Sequence, residues 1–260
     1  LANLLAGKGF GVALWAYEAE LVSAMAVKRE NDLYLPGIPL SQNIIPTASL
    51  AEAAGNRDIL FLVTPSHAIR QTVREIAAHS PARAMLVIAS KGIENRTLLT
   101  MSAVVRDELA LADGQRLAVL SGPTFALEVS RKIPSAVTLA SENQPLARDI
   151  QQILSTSFFR VYTNVDVTGV ELGGALKNVI AIAAGISDGL LFGYNTRAAL
   201  ITRGLAEISR LALKMGAARD TLSGLSGLGD LVLTCTGELS RNRMVGIRLG
   251  RGEPLEEITR

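Results

Sequence analysis

Four short runs of apolar residues, each of strand length, alternate with helical patterns through the first part of the chain. They occupy residues 10–15, 58–64, 84–89 and 117–120, and helical patterns follow at residues 20–29, 65–79 and 98–111. Runs with so few polar positions are typical of strands that are buried on both faces of a sheet. The alternation therefore predicts βαβ units, an α/β fold and a mainly parallel sheet.

Shorter elements complete this region. Residues 135–140 and 159–162 predict short helix or strand pieces, and residues 144–155 predict a helix. The segment 33–46 contains three prolines and predicts an irregular loop, because proline lacks the backbone N–H that regular elements need.

The architecture changes after residue 164, where the strand signals stop. Only helical patterns follow, at residues 166–188, 196–215 and 230–236. We therefore predict two domains, an α/β domain at residues 1–164 and an all-α domain at residues 165–260.

A parallel sheet places its ligands at the carboxyl ends of its strands. Four segments follow the predicted strands and are expected to lie together at that edge. They are residues 17–18, 64–66, 90–92 and 121–124. Lys91 lies in one of these segments, although an isolated loop lysine is more often simply solvated.

The helix predicted at residues 169–190 is apolar around most of its surface, which is typical of a buried helix. Lys177 and Asn178 nevertheless lie in its middle, and a buried lysine generally has a partner or a chemical role. Burial also lowers a lysine pKa toward values that are useful for proton transfer. Gly173 and Gly174 would let another backbone, a cofactor or a substrate approach closely. A glycine-packed helix whose lysine extends to solvent explains this stretch equally well.

Composition excludes several classes of protein. The net charge of +2 over 260 residues argues against a general nucleic-acid or membrane surface. The single cysteine, Cys235, excludes an intramolecular disulfide and fits a reducing cytoplasm. His67 and His79 have no partners at metal-ligand spacing, so no metal site is predicted. The longest apolar runs are interrupted by Gly, Lys or Asn, so we expect no membrane span.

A dinucleotide-binding fold should open with a strand and a G-x-G-x-x-G turn, and neither is present. The sequence begins inside a helical pattern at residues 1–8. We therefore expect the first strand and its glycine-rich turn to be missing from this chain. Glu18 stands where an acid would hold the ribose of NAD, although a solvated position at the start of a helix is the simpler interpretation.

A second polar cluster is predicted near the C-terminus. The stretch SGLSGLGDLVLTCT contains Asp230 and Thr234, which share a helix face because they are four residues apart. Arg241 follows between Ser240 and Asn242, and arginine binds phosphate in a bidentate way. A glycine-rich turn with ordinary surface polar residues is the alternative. Two ammonium groups, Lys91 and Lys177, would stabilise an anion or a developing oxyanion if they converged.

Seven blocks now carry a family resemblance. They are NDLYLPGIPL, LVTPSHAIR, ASKG, LSGPTFALEV, VELGGALKNVIAIAAGISDGL, NTRAALITRGLAE and GLGDLVLTCT with SRNR. In this order they resemble the bacterial NAD(P)-dependent glycerol-3-phosphate dehydrogenases over essentially the whole chain. The resemblance implies a Rossmann-like N-terminal domain, a helical substrate domain, and NAD or NADP as cofactor. It also implies interconversion of sn-glycerol 3-phosphate and dihydroxyacetone phosphate in the cytoplasm, supplying phospholipid synthesis, by a homodimer that binds no nucleic acid or membrane.

The same resemblance implies roles for individual residues. Lys177 matches the proton acceptor and donor, Lys91 the second active-site lysine, and Asp230 a carboxylate of the substrate site. The remaining substrate contacts implied are Gly122, Thr124, Asn178, Thr234, Ser240, Arg241 and Asn242. The cofactor contacts implied are Tyr17, Pro65, Lys91, Ala126 and Arg241.

Some questions stay open at this level. Many relatives have Arg or His where Tyr17 stands, so the choice between NAD and NADP is undecided. A C-terminal tail with further cofactor contacts is expected beyond residue 260. One alternative is a β-hydroxyacid dehydrogenase, which shares a lysine and an asparagine on the helix after the Rossmann domain but lacks the GLGDLVLTC and SRN blocks. Another is a non-catalytic binding protein of the same fold, supported by the missing nucleotide turn.

Overall fold

The computed structural model describes residues 1–112 and 115–259. The part that ends at Asn164 combines short strands with helices. Its strands are β1 (Val12–Trp15), β2 (Ile44–Thr47), β3 (Ile59–Leu62), β4 (Met85–Ile88), β5 (Leu117–Ser121), β6 (Ser135–Ala140) and β7 (Phe159–Asn164). Its helices are α1 (Ala2–Gly7), α2 (Ala19–Lys28), α3 (Leu50–Ala54), α4 (Ile69–Ala77), α5 (Met101–Leu109), α6 (Ala126–Ser130) and α7 (Gln144–Leu154).

The strands form a mostly parallel arrangement, as predicted. Five of them form one sheet in the order β3-β4-β5-β6-β7, and β1 pairs with β2 in a separate parallel pair. Within the larger sheet only β5 and β6 are antiparallel. The connection between these two strands contains only the five-residue helix α6, whereas a parallel crossover usually needs a longer helix to return the chain to the starting edge.

A large cleft separates β1 from β3. Side chains of both strands line it, and its volume is about 2060 Å³. The cleft also reaches residues of the helical part, among them Lys177 and Asp230. The carboxyl ends of β1 and β3 therefore face the same space as the helical residues.

Helices cover both faces of the larger sheet. On one face, Ile69 and Val73 of α4 and Val104 of α5 pack on the strands and are fully buried. On the other face, Ile150 and Leu154 of α7 are equally buried. Burial on both faces explains why the central strands read as unbroken apolar runs.

The loop predicted at residues 33–46 is wrong at its end, because β2 includes Pro46. Pro46 lies opposite Leu14 of β1. Proline is tolerated there because β2 is an edge strand, whose outer side needs no backbone donor. Helix α3, which was not predicted, begins just after β2 with Ser49 as its cap: the Ser49 hydroxyl accepts a hydrogen bond from the Glu52 backbone N–H.

From residue 165 onward every described element is helical. The elements are α8 (Val167–Gly189), α9 (Gly193–Lys214), α10 (Arg219–Ser223), a π-helical turn (Leu225–Gly229), α11 (Asp230–Thr236), α12 (Arg241–Gly250) and α13 (Leu255–Ile258). Helices α9, α10, α11 and α12 pack around α8, and α13 packs on α12. Its first turn packs on the α/β core through Val167 and Val170. Asp166 caps this helix and accepts hydrogen bonds from the backbone N–H groups of Gly169 (2.7 Å) and Ala218 (2.8 Å).

The length of α8 corrects one expectation. With 23 residues it is long and apolar enough to cross a membrane, so interruption by polar residues was the wrong argument against a span. More than half of its most apolar window is buried inside the protein, at 56%. The apolar surface of α8 is therefore explained by its place at the centre of the helical part.

Four glycines bring α8 and α12 unusually close together. We call Gly185 and Gly189 of α8, with Gly246 and Gly250 of α12, the glycine seam. A Cβ added at Gly185 would lie 2.1 Å from the carbonyl oxygen of Arg243, and one added at Gly246 would lie 2.1 Å from that of Ile182. Only glycine permits this approach, so the seam fixes where α12 lies along α8.

Candidate active site

Three charged side chains from three separate elements meet beside the cleft. Lys91 follows β4, Lys177 lies in the middle of α8, and Asp230 begins α11. The Lys177 Nζ donates to Asp230 Oδ1 at 2.5 Å, and the Lys91 Nζ donates to Asp230 Oδ2 at 2.5 Å. Each carboxylate oxygen thus holds one ammonium group. The predicted convergence of the two lysines is present.

Neutral groups complete the hydrogen bonding of the lysine in α8. Lys177 also donates to the Thr234 hydroxyl at 2.8 Å, and that hydroxyl donates to the Asp230 carbonyl oxygen at 2.6 Å. Asp230 and Thr234 therefore share a helix face, as their spacing predicted. The Lys91 Nζ lies 3.5 Å from the Gly122 carbonyl oxygen, which places the loop after β5 next to the lysine pair.

Gly173 and Gly174 seat α8 against protein atoms. A Cβ at Gly173 would lie 2.5 Å from the Ser226 carbonyl oxygen in the π-helical turn. A Cβ at Gly174 would lie 2.7 Å from the Ser121 hydroxyl and 3.4 Å from Cδ of Lys91. Of the approaches predicted for these glycines, that of another backbone is the one present at Gly173. Gly173 lets α8 approach the turn that delivers Asp230, and Gly174 lets it approach Ser121 and Lys91. π-Helical turns often occur at functional sites.

The electrostatics of the site favour a lysine that titrates near neutral pH. Burial, and to a lesser extent the nearby charge of Lys91, lower the pKa of Lys177, while Asp230 raises it, and the net result is a pKa of about 8. Lys177 is 8% exposed and Asp230 only 1% exposed. With both lysines protonated, two positive charges share one carboxylate, so the site carries a net charge of +1. Such a site attracts an anion.

The cleft brings most of the other predicted site residues together. Its lining includes Tyr17, Pro65, Thr124, Ala126, Lys177, Asn178, Asp230, Thr234, Ser240, Arg241 and Asn242. Lys91 and Gly122 are not part of the lining but contact this group directly, through Asp230 and through Lys91 respectively. Gly122 adopts φ +152°, a conformation that residues with side chains rarely adopt, and a Cβ there would lie 3.0 Å from the Val137 Cα.

The start of α12 is ordered by hydrogen bonds. The Ser240 hydroxyl accepts from the Arg243 backbone N–H at 3.2 Å, so Ser240 caps the helix, and it is 3% exposed. The Arg243 guanidinium donates to Asp188 at 2.6 Å, and Arg197 donates to the same carboxylate at 2.9 Å. Sequence reasoning missed this cluster because nothing in the spacing of its three members pairs them. It attaches α12 to α8 and α9.

Across the cleft, the end of β1 carries a second polar pair. The Tyr34 hydroxyl donates to Glu18 Oε1 at 2.9 Å. The Glu18 carboxylate raises the pKa of Tyr34, and the positive charge of Arg241 acts in the opposite direction. Nothing in the local sequence marks Tyr34, which lies in the segment 33–46 for which a loop is predicted. Glu18, Tyr34 and Arg241 all line the cleft.

Other reactive side chains offer little additional chemistry. Within residues 1–112 and 115–259, no group of three or more His, Cys, Asp or Glu side chains has an arrangement that could hold a metal ion. Cys235 is fully buried, and burial raises the pKa of its thiol to about 11. The thiol is therefore protonated at neutral pH and packs as a core residue.

Comparison with known proteins identifies the family. Residues 1–147 match the NAD-dependent glycerol-3-phosphate dehydrogenase N-terminus, and residues 166–260 match the C-terminus of the same family. The chain is 55% identical to the glycerol-3-phosphate dehydrogenase [NAD(P)+] of Syntrophotalea carbinolica, covering 99% of this chain and 78% of that protein. It is 56% identical to the enzyme of that name from Geobacter sulfurreducens, covering 99% of this chain and 77% of that protein.

A solved structure agrees with these sequence matches. The crystal structure of glycerol-3-phosphate dehydrogenase from Coxiella burnetii superposes with a TM-score of 0.96 at 41% identity, covering 100% of this chain and 78% of that one. Both the α/β part and the helical part are thus shared with that enzyme. The chain belongs to the NAD-dependent glycerol-3-phosphate dehydrogenase family.

Proposed function

We propose that this protein is an NAD(P)-dependent glycerol-3-phosphate dehydrogenase, which interconverts sn-glycerol 3-phosphate and dihydroxyacetone phosphate. The observation that carries the proposal is the pair of lysines, Lys91 and Lys177, that share the buried carboxylate of Asp230 beside the cleft. Relatives that carry this activity in their names are 55% identical to the chain. When bound in the cleft, NAD(P)H supplies the hydride that reduces C2 of the ketone.

Lys177 is the proposed acid and base of the reaction. As an ammonium group it donates a proton to the C2 oxygen of dihydroxyacetone phosphate while that carbon receives the hydride. As a neutral amine it accepts the hydroxyl proton of glycerol 3-phosphate in the reverse direction. A pKa of about 8 suits both tasks, because an efficient proton-transfer group has a pKa near the working pH.

Lys91 and Asp230 have supporting roles in this proposal. The Lys91 ammonium stabilises the negative charge that develops on the C2 oxygen during reduction. Asp230 holds both lysines, one on each oxygen, and the Thr234 hydroxyl accepts a second hydrogen bond from Lys177, which leaves its third N–H for the substrate. The lysines are therefore oriented before the substrate arrives, which reduces the cost of reaching the transition state.

The start of α12 is the proposed phosphate site. Arg241 and Asn242 lie in its first turn and line the same cleft as Lys177. A helix N-terminus favours an anion, and arginine adds paired donors to phosphate oxygens. Binding energy from this remote phosphate positions C2 against the lysines. The remaining proposed substrate contacts are Gly122, Thr124, Asn178, Thr234 and Ser240.

Three of the proposed cofactor contacts lie along the opposite wall. Tyr17 and Pro65 follow β1 and β3, and Ala126 begins α6, so they surround the carboxyl ends of the strands where dinucleotides bind in such sheets. Lys91 and Arg241 complete the proposed set.

We further assign residues 1–164 to a cofactor domain and residues 165–260 to a substrate domain, because the last strand ends at Asn164 and α8 begins at Val167.

We also propose that the protein is a homodimer in the cytoplasm. There it supplies glycerol 3-phosphate for phospholipid synthesis. Size-exclusion chromatography with light scattering tests the dimer, and a monomer mass would contradict it.

The proposed activity is tested by following the absorbance of NADH or NADPH with dihydroxyacetone phosphate. We expect oxidation of at least one cofactor by the wild-type protein, and no oxidation of either would overturn the proposal in favour of a binding protein. Lys177→Met should lose at least about 1,000-fold in kcat. Lys214→Met, which removes an exposed lysine of α9, is the matched control and should retain wild-type rates.

A further inference from the structure

Glu171 is a buried carboxylate that the proposed chemistry does not use. It lies in the second turn of α8 and is 8% exposed. Its Oε1 accepts a hydrogen bond from the Ser102 backbone N–H at 2.7 Å, and its Oε2 accepts one from the Ser102 hydroxyl at 2.5 Å. Both oxygens are thus occupied by one residue that is 69 positions away in sequence.

The partner of Glu171 belongs to the element that follows Lys91. Thr100 caps α5 and Ser102 is the second residue of that helix. The segment that leaves Lys91 returns to this point, because Ile93 and Thr100 form an isolated antiparallel bridge. Glu171 therefore holds the base of the loop that carries Lys91. Arg70 holds the outer side of the same loop through Glu94, at 2.7 Å.

The other end of this connection is Lys177 itself. Lys177 lies six positions after Glu171, a rise of about 9 Å along one continuous helix. Between them, Gly174 lies against the Lys91 side chain, with Lys91 Cδ 3.4 Å from the position of an added Cβ. The loop of Lys91 and the helix of Lys177 thus contact each other at two places, and Glu171 supplies the polar one.

We propose that Glu171 is a positioning residue that sets the distance between Lys91 and Lys177 across Asp230. The inference rests on the proposed function, because it concerns the same lysine pair. Glu171 forms none of its hydrogen bonds with a lysine, so it acts through the backbone that carries each amine. A buried acid is costly. It is stabilised here by the N-terminal end of α5, which favours a negative charge.

A carboxylate suits this task better than an apolar contact. Apolar side chains pack without fixed direction, whereas two hydrogen bonds from one residue define both distance and angle. Burial raises the pKa of Glu171, while the two bonds from Ser102, the Thr100 hydroxyl and the charge of Arg106 lower it. Reacting groups that move by about 1 Å can lose roughly 100-fold in rate, so a directional contact at this point has a large effect.

The test compares Glu171→Ala, Glu171→Gln and the control Asp166→Ala. Asp166, the cap of α8, is also a carboxylate that accepts two backbone hydrogen bonds, but its distant partner is Ala218 instead of Ser102. For each variant, kcat, KM for dihydroxyacetone phosphate and the pH dependence of both directions are measured. Circular dichroism and thermal unfolding establish that each variant is folded at the assay temperature.

Glu171→Ala should lower kcat by roughly 10- to 100-fold. It should also move the Lys177-dependent limb of the pH profile to higher pH. The pKa of Lys177 rises because the positive charge of Lys91 moves away and water enters the site. Glu171→Gln keeps acceptor and donor atoms for both Ser102 bonds and should restore kcat to within about threefold of wild type. Asp166→Ala should lose stability but keep the wild-type pH limb.

Three results would overturn the inference. The first is a folded Glu171→Ala variant whose Lys177-dependent pH limb is that of the wild type. The second is a loss of kcat in Glu171→Gln equal to that in Glu171→Ala. The third is the same upward shift of the pH limb in Asp166→Ala. If Glu171→Ala does not fold, Ser102→Ala is tested instead, because it removes only the hydroxyl bond to Glu171. A Lys177-dependent limb at higher pH than in the wild type supports the inference, and an unchanged limb overturns it. Failure of the proposed function is distinguishable, because wild type itself would then oxidise neither cofactor.

Discussion

Replacing Gly185 by alanine tests whether the glycine seam positions α12. The added Cβ would lie 2.1 Å from the Arg243 carbonyl oxygen and 2.9 Å from the Gly246 Cα. Real Cβ atoms essentially never approach other heavy atoms within 3.0 Å. The difference between 3.0 and 2.1 Å means that the helices must separate locally by at least 0.9 Å.

The expected cost follows from that separation. Both clashing atoms belong to backbone, so no flexible side chain can move aside, and overpacking of this kind costs roughly 1–3 kcal/mol. Alanine recovers up to about 1 kcal/mol through its better helix propensity. We place the cost near the upper value, because the seam loses close contacts along both helices. The net loss should be about 2 kcal/mol.

Urea unfolding of Gly185→Ala measures this loss, with Gly7→Ala as the matched control. Gly7 lies in α1 and an added Cβ would meet nothing within 4 Å. Its replacement should therefore leave stability unchanged or raise it by up to about 1 kcal/mol. The two substitutions are chemically identical, so opposite signs would isolate the effect of the seam.

The same variant should also weaken substrate binding. Arg241 and Asn242 are at the start of α12, so outward movement of that helix takes them away from Lys177, and KM for dihydroxyacetone phosphate should rise severalfold. A Gly185→Ala protein that is as stable as wild type, with the same KM, would refute the argument that the seam places α12.

Three further predictions concern the site itself. The kcat/KM of glycerol 3-phosphate oxidation should rise with pH through about 8, because the neutral amine of Lys177 is the base. The kcat/KM of ketone reduction should fall through the same pH, because the ammonium form is the acid. pH–rate profiles in both directions check this. The pKa of Lys177 is about 8 in the folded protein and 10.5 in its ordinary state, so between these pH values the unfolded chain binds the proton more tightly. The free energy of unfolding of the wild type should therefore increase between pH 8 and 10.5. Urea titrations of Lys177→Met should lack that increase. Ser240→Ala should lower stability by about 1 kcal/mol because α12 loses its cap, and thermal unfolding measures that change.

Local patterns in the sequence predicted much of this molecule. Solid apolar runs located the central strands, because burial on both faces removes polar alternation. The four-residue spacing of Asp230 and Thr234 placed both side chains on one helix face. Lys177 was conspicuous because a lysine inside an apolar helix needs an explanation. Each of these signals lies within one helix or strand, where the period of the backbone relates the sequence position of a residue directly to the direction in which its side chain points.

Features that depend on distant partners were not predictable in the same way. Glu171 contacts a residue 69 positions earlier, and no local pattern encodes that pairing. Gly173 and Gly174 gave a visible signal, but a glycine indicates only that something approaches closely, and here it is the π-helical turn and Lys91. Pro46 argued against a strand because the edge position of β2 could not be inferred.

The charge of the site connects its stability with its proposed chemistry. Asp230 can neutralise only one of the two lysines that it holds, so the buried site keeps one positive charge when both are protonated. This excess helps to keep the Lys177 pKa low. A phosphate bound at the start of α12 adds negative charge to the same cleft and favours the ammonium form. Binding of the ketone would thus promote the protonation state of Lys177 that its reduction requires.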